Sequence, residues 1–255
     1  MQIRVRVIFL LVFAFAGIGA VFSLEPLPQS LAYHAFADKR ALLGISNFWN
    51  VASNLPFLMI GALGFLRVRR NKASHLGSSA RQAYLAFFVG VFFTGFGSAY
   101  YHWVPDNASL VWDRLPMSVA FMGLFAAIWC ERINEKWGRL SLIPLVTVGC
   151  TSVFYWFWSE LQGAGDLRFY AVVQLLPLIL IPLILLMFPA RFTRGYDFMI
   201  AVFLYGAAKL AETFDYAFYD SAIIFSGHTA KHFVAAVAIY WLLRMLRLRT
   251  AKDFE

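Results

Sequence analysis

Charge is scarce in this chain. Only 14% of its 255 residues are Asp, Glu, Lys or Arg, while 61% are hydrophobic. Soluble domains use about 45–50% apolar residues, so a water-soluble globular domain is excluded. Cysteine is nearly missing too. Cys130 and Cys150 are the only two, and both fall in or beside apolar runs. Two cysteines supply neither a disulfide framework nor a cysteine-based metal motif. No internal repeat and no low-complexity linker divides the chain.

What the chain does have is long apolar runs, with a mean hydropathy of +0.66. They fall at about 7–24, 47–66, 83–101, 115–130, 140–158, 169–188, 198–213 and 228–243. Roughly 17–20 apolar residues suffice to cross a bilayer as a helix. The expected fold is therefore all-α and polytopic: a seven-helix transmembrane core with an extra N-terminal transmembrane helix. Pro177, Pro182 and Pro189 are expected to bend or end the sixth segment.

A formal net charge of +8 raises nucleic acid as a partner, but the placement of the charge gives a different reason for it. One alternate set of loops holds Arg4 and Arg6; Arg67, Arg69, Arg70, Lys72 and Arg81; Arg132, Lys136 and Arg139; Arg191 and Arg194; and Arg244, Arg247, Arg249 and Lys252. These are 16 of the 22 basic residues. The other set holds only Lys39, Arg40, Arg114 and Arg168. Positive loops stay cytoplasmic. Both termini are then cytoplasmic, and the basic charge reports topology, with no nucleic-acid partner implied.

The first segment, "MQIRVRVIFLLVFAFAGIGAVFSLEP", has the basic start and apolar run of a signal peptide. Its run is longer than a signal peptide needs, and cleavage after Ser23 would be mediocre, so a retained helix over 1–24 is expected. A membrane domain over 25–245 and a cytoplasmic basic tail over 246–255 follow.

Polar residues inside this framework carry the chemistry. "GFGSAYYHW" ends the third segment with Ser98 four residues before His102. "LVWDRLPM" places Asp113 just before the fourth. "FSGHTAKHF" opens the eighth with His228 and His232 four apart. All three stretches fall on the outer side, although the charge count made no use of them. Residues i and i+4 share a helix face, so His228 and His232 can point together into the bundle.

Three imidazoles plus water make an open zinc site. Zinc brings the pKa of its bound water to about 7. Asp113 could accept a hydrogen bond or a proton from that water, and Ser98 could donate to a substrate carbonyl or a developing oxyanion. Each residue also has a plainer reading. The histidines could be solvated at a helix start, Ser98 could be a small packing residue, and Asp113 a helix N-cap. Ionisable residues in membrane segments are functional candidates by default, and convergence of three helix ends favours the metal.

"GFGSAYYHW", "WDRLPM" and "GHTAKHF", in this order across seven core segments, resemble the alkaline ceramidase family. That family belongs to a superfamily of membrane hydrolases that includes the adiponectin and progestin receptors and the GPI-anchor remodelling proteins. "NFWNVASNLPF" also resembles the first core helix of the ceramidases, and the likeness covers roughly residues 35–245. It implies zinc held by His102, His228 and His232, with Asp113 positioning or deprotonating the water and Ser98 assisting at metal and carbonyl. The implied reaction is hydrolysis of the ceramide amide, or a similar membrane lipid, to a sphingoid base and a fatty acid. Eukaryotic ceramidases add a calcium site built by an acidic cluster before that helix. Here the stretch reads "LAYHAFADKRALLGISNFWN"; Asp38 is present, but Asn47 stands where the acidic residue is expected, so calcium is not carried over. The missing cluster and compact chain point to the plasma membrane of a bacterium.

Other polar residues complete the reading. Lys209, Glu212 and Asp215 are expected as a structural ion pair or as a second shell orienting the histidines. Asn50, Ser53 and Asn54 share a face suited to bonding neighbouring helices. Lys231 is expected to turn away and snorkel to the interface. Trp49, Tyr101, Trp103, Trp112 and Trp158 suit an interfacial belt. Three alternatives stay open: a receptor-like or structural protein with non-catalytic zinc, a hydrolase of another amide or ester lipid, and an ion pathway through Lys209, Glu212 and Asp215.

Overall fold

A computed structural model describes residues 3–70, 77–222 and 225–252. Lys72, one of the basic residues counted above, lies outside the described residues. Ten α-helices are named in chain order: α1 (Ile3–Phe22), α2 (Phe48–Ala52), α3 (Leu55–Arg70), α4 (Ser78–Trp103), α5 (Asn107–Arg132), α6 (Glu135–Leu161), α7 (Arg168–Met187), α8 (Asp197–Thr213), α9 (Asp215–Ala222) and α10 (Gly227–Leu248). Among the described residues the only β pairing is two isolated bridges.

Seven helical stretches are long and apolar enough to cross a membrane, α2 and α3 counting as one. The protein is an all-α polytopic membrane protein. The seventh predicted segment, α8, is not among those seven stretches and has 17 residues. At 1.5 Å per residue it spans about 25 Å, and it lies along α10.

The helix ends follow from local chemistry. Predicted to start near 115, α5 starts at Asn107. Asp106 accepts from the Ser109 N–H at 2.6 Å while Ser109 Oγ accepts from the Asp106 N–H at 3.1 Å, a reciprocal capping box. The Ser109 N–H holds the Asp106 carboxyl below its ordinary range. This early start puts Asp113 in the second turn, inside the bundle, so it is not an N-cap. The predicted second segment is split at Ser53 and Asn54, two residues before Pro56, which has no N–H to continue a helical ladder. α7 runs through Pro177 and Pro182 and stops at Met187, ahead of Pro189.

Backbone proximity at glycines sets the tightest seam. A Cβ on Gly90 would meet the Pro116 carbonyl, on Gly97 the Trp112 carbonyl, and on Gly123 the Phe87 N–H. Small residues let membrane helices approach this closely, and α4 is thereby fixed against α5. The helix α1 stands apart, packing on α7 with Leu10 as its one buried side chain among the described residues. Its apolar surface suits lipid.

The two ends of the bundle differ. Arg249 bonds both oxygens of Glu131 at 2.9 and 2.6 Å, Arg132 donates to the Phe188 carbonyl, and Arg81 donates to the Val68 and Arg69 carbonyls. These basic residues gather where α4 and α10 have their ends farthest from the histidines. Residues 249–252 also fold back, with Lys252 N donating to the Arg191 carbonyl at 2.9 Å.

Candidate metal centre

Three imidazoles converge from two helices. His102 lies in the last turn of α4, and His228 and His232 occupy successive turns at the start of α10. His102 Nε2 is 3.2 Å from His228 Nε2 and 3.2 Å from His232 Nε2. None of the three residues is more than 3% exposed. Phe36, in the segment before the core helices, packs its ring on His102 and His228 with centroids 4.7 and 4.9 Å away.

The backbone under these rings is held at several points. Asn47 Nδ2 donates to the His102 carbonyl at 2.9 Å. Ser226 caps α10 by accepting from the Thr229 N–H at 3.1 Å. Asp215 accepts from the His228 N–H at 2.6 Å and from the Ala37 N–H at 2.8 Å. Gly227 lacks the Cβ that would strike the Ala211 carbonyl. Thr229 Oγ1 donates to Asn50 Oδ1 at 2.8 Å, tying α10 to α2.

Ser53 decides the tautomer of His232. Its hydroxyl donates to the Asn50 carbonyl at 3.1 Å, so at 2.7 Å it accepts from the His232 Nδ1–H. A neutral imidazole then keeps its lone pair on Nε2, which faces the other histidines. Ligating imidazoles are fixed in this way by a partner on the far nitrogen. His102 Nδ1 is buried without a hydrogen-bond partner.

The donor set fits a metal ion. Zinc binds imidazole nitrogen at about 2.0–2.1 Å in tetrahedral geometry, which sets two such nitrogens about 3.3 Å apart. The observed separations of 3.2 Å match that spacing. A hydrogen-bonded explanation is poorer, because a single Nε2–H on His102 faces two partners at equal distance. The three histidines can hold a metal ion.

Beside them, Gly97 lets the Trp112 carbonyl and the Asp113 N–H press against α4. Ser98 of α4 and Asp113 of α5 are both buried at this seam. Both side chains line a cavity of about 300 Å³ together with His232. Below this polar end the walls are apolar: Phe87, Val91, Met117, Phe121, Leu124 and Ile181 among others. Met117, Phe121, Leu124 and Ile128 recur at the spacing of one face of α5. From residue 114 to 128 that face runs about 21 Å, so the cavity extends along the bundle away from the histidines.

Several sequence expectations need correction. Lys231 does not snorkel outward. Cα–Cβ bonds in a helix tilt toward its N-terminus, and Lys231 reaches back one turn to His228 Nε2 at 2.7 Å and Glu212 Oε1 at 2.9 Å. The i, i+3 spacing from His228 was the available signal. Glu212 also pairs with Lys209 and accepts from Tyr33 OH at 3.0 Å. Asp215 serves the α10 backbone. Among the described residues neither carboxylate bonds a histidine ring, and it is Ser53 that does so. Ser53 thereby bonds the neighbouring helix α10, as expected of its face. Tyr101 is buried, not interfacial; its OH meets His34 Nδ1 at 3.0 Å. Trp103, Trp112 and Trp158 are exposed as expected. Asp38 pairs with Arg40 at 2.6 Å.

No curated protein sequence matches the chain. The family model described as Ceramidase matches residues 42–253, spanning all three histidines, Ser53, Ser98 and Asp113. By its membrane helices, its converging histidines and this match, the chain belongs to the ceramidase family.

Proposed function

We propose that the protein is a zinc-dependent hydrolase of lipid amides. The observation that carries this reading is the convergence of three buried imidazoles, with His102 Nε2 3.2 Å from each of the other two Nε2 atoms, beside a buried carboxylate and a long apolar cavity that His232 lines. His102, His228 and His232 would hold the metal. Bound zinc supplies Lewis acidity, which brings the ionisation of water to neutral pH.

The remaining work falls to this chain's own side chains. Asp113, which lines the cavity with His232, is suited to take the proton of the attacking water and later return it to the departing amine nitrogen. Ser98 lines the same cavity and offers its one hydroxyl proton to the substrate carbonyl. Lys231 and a metal are alternatives for the one lone pair of His228 Nε2, and Glu212 is the acceptor left to Lys231 when the metal takes it. Lys231 lines the same cavity, and its ammonium would there favour the negative charge that develops on the reacting carbonyl. The apolar wall along α5 is suited to an acyl chain, and ceramide is the substrate the family implies.

The loop charges support a histidine end at the outer face, and the reading adds the plasma membrane of a bacterium, with α1 an addition to a membrane domain over 25–245 and 246–255 a basic tail. Purified protein in nanodiscs should release fatty acid from a ceramide. A chelator should abolish release and zinc should restore it. Full activity after complete metal removal would overturn the zinc mechanism.

Ser53→Ala should lower zinc affinity by about 10–100-fold, the usual effect of losing an outer partner of a ligating histidine. Competition with a fluorescent chelator measures it. An affinity equal to wild type would remove Ser53 from the site.

A further inference from the structure

Arg114 is a buried cation that the hydrolytic reading does not use. It follows Asp113 on α5, is 6% exposed, and lines the outer end of the same cavity. Its Nη2 donates to the Gln29 side-chain oxygen at 2.6 Å. Its Nη1 is buried with no hydrogen-bond partner. The guanidinium lies 4.1 Å from the Trp156 ring centroid and 4.7 Å from that of Tyr170. Among the described residues it makes no ion pair, whereas every carboxylate of an observed salt bridge is matched to another cation.

A cation this deep normally has a carboxylate partner or enough acceptors. Aromatic faces orient the guanidinium, and an amide oxygen satisfies one nitrogen, but Nη1 is left without an acceptor on a residue that lines the cavity. The lining holds three cations, Arg114, Lys209 and Lys231, against two carboxylates, Asp113 and Glu212. One positive charge is in excess before any metal is counted. A guanidinium with free donors selects carboxylate or phosphate oxygens.

We propose that Arg114 binds an acid group carried on the amine portion of the lipid amide, so that the preferred substrate is an anionic amphiphile with its acyl chain along α5. This rests on the lipid-amide reading of the site and narrows it. A neutral head group would leave Nη1 unpaired, and a site built to pair a polar group discriminates strongly against the ligand lacking it. Arg114 is thus a specificity residue.

The test compares N-palmitoylglycine with N-palmitoylethanolamine, which share the acyl chain and amide and differ in the acid. Binding to wild type in nanodiscs should be at least about tenfold tighter for the acid, the scale of one well-placed charged hydrogen bond. Arg114→Gln should bring the two Kd values together, and Arg114→Lys should keep part of the preference. The same kcat/KM ratio should appear in turnover. Equal or weaker binding of the acid by wild type, with ceramide 1-phosphate also binding no better than ceramide, overturns the inference, with no variant needed. Retention of the full preference in Arg114→Gln at wild-type zinc content and melting temperature also overturns it. An acid preference in binding without turnover of either lipid would instead count against the hydrolase reading and leave the anion site standing. If carboxylate binds no better than alcohol but ceramide 1-phosphate displaces ceramide in wild type alone, the acid group recognised is a phosphate.

Discussion

Asp113→Asn is expected to lower lipid-amide turnover by about 10²–10⁴-fold, the usual contribution of a positioned general base, while leaving one zinc per chain in place. The substitution preserves volume and one acceptor oxygen. It removes the ability to take a proton. Metal content should hold because Asp113 is not among the three converging nitrogens. Folding should hold because the seam at Gly97 is set by backbone contacts with Trp112 and Asp113, not by the carboxylate. The pair of measurements, zinc by mass spectrometry and fatty-acid release in nanodiscs, separates the enzyme from a receptor-like protein with structural zinc. Turnover within a few-fold of wild type would take the proton-transfer role away from Asp113. Loss of zinc together with turnover would make it a structural support of the site.

The parts of this site that could be seen in the sequence are those whose spacing is set by one helix. His228 and His232 share a face because they are four apart, and Ser98 and His102 likewise. Across helices the loop charges put all three stretches on one side, but nothing local says that α4 ends against the start of α10, and the family resemblance supplied that pairing. The long apolar segments were legible because membrane helices must satisfy their backbone internally. The split of the second segment was less so, because Pro56 near its start reads equally as a first-turn proline. Ser53 was in view as a polar residue, but its partner is 179 positions away. Lys231 was misread because its length allowed two directions, and Glu212 on α8 decides between them. Arg114 looked like an outer-loop charge because the segment was begun at 115; the capping box at Asp106 moves the helix start and carries the arginine into the bundle.

His102→Ala is the second substitution with a large expected effect: zinc per chain should fall from one to near zero, and turnover should become undetectable. His102 is the hub, since both short nitrogen contacts run through it. Without it, His228 and His232 offer two ligands from one helix, their rings 5.2 Å apart and nearly perpendicular, and nothing joins α4 to α10 at this end. Two nitrogens lose the closed geometry that three provide, so affinity should collapse rather than weaken. A fully buried ring is also removed, which opens a cavity against Phe36 and Tyr101 and destabilises in its own right. The melting temperature of chelated wild type separates the two causes. If metal binding ties the helices, chelated wild type should melt well below the zinc-loaded protein, with His102→Ala lower still by the cavity term and unresponsive to added zinc. Stoichiometric zinc in His102→Ala, or a zinc-dependent rise in its melting temperature equal to that of wild type, would place the metal elsewhere.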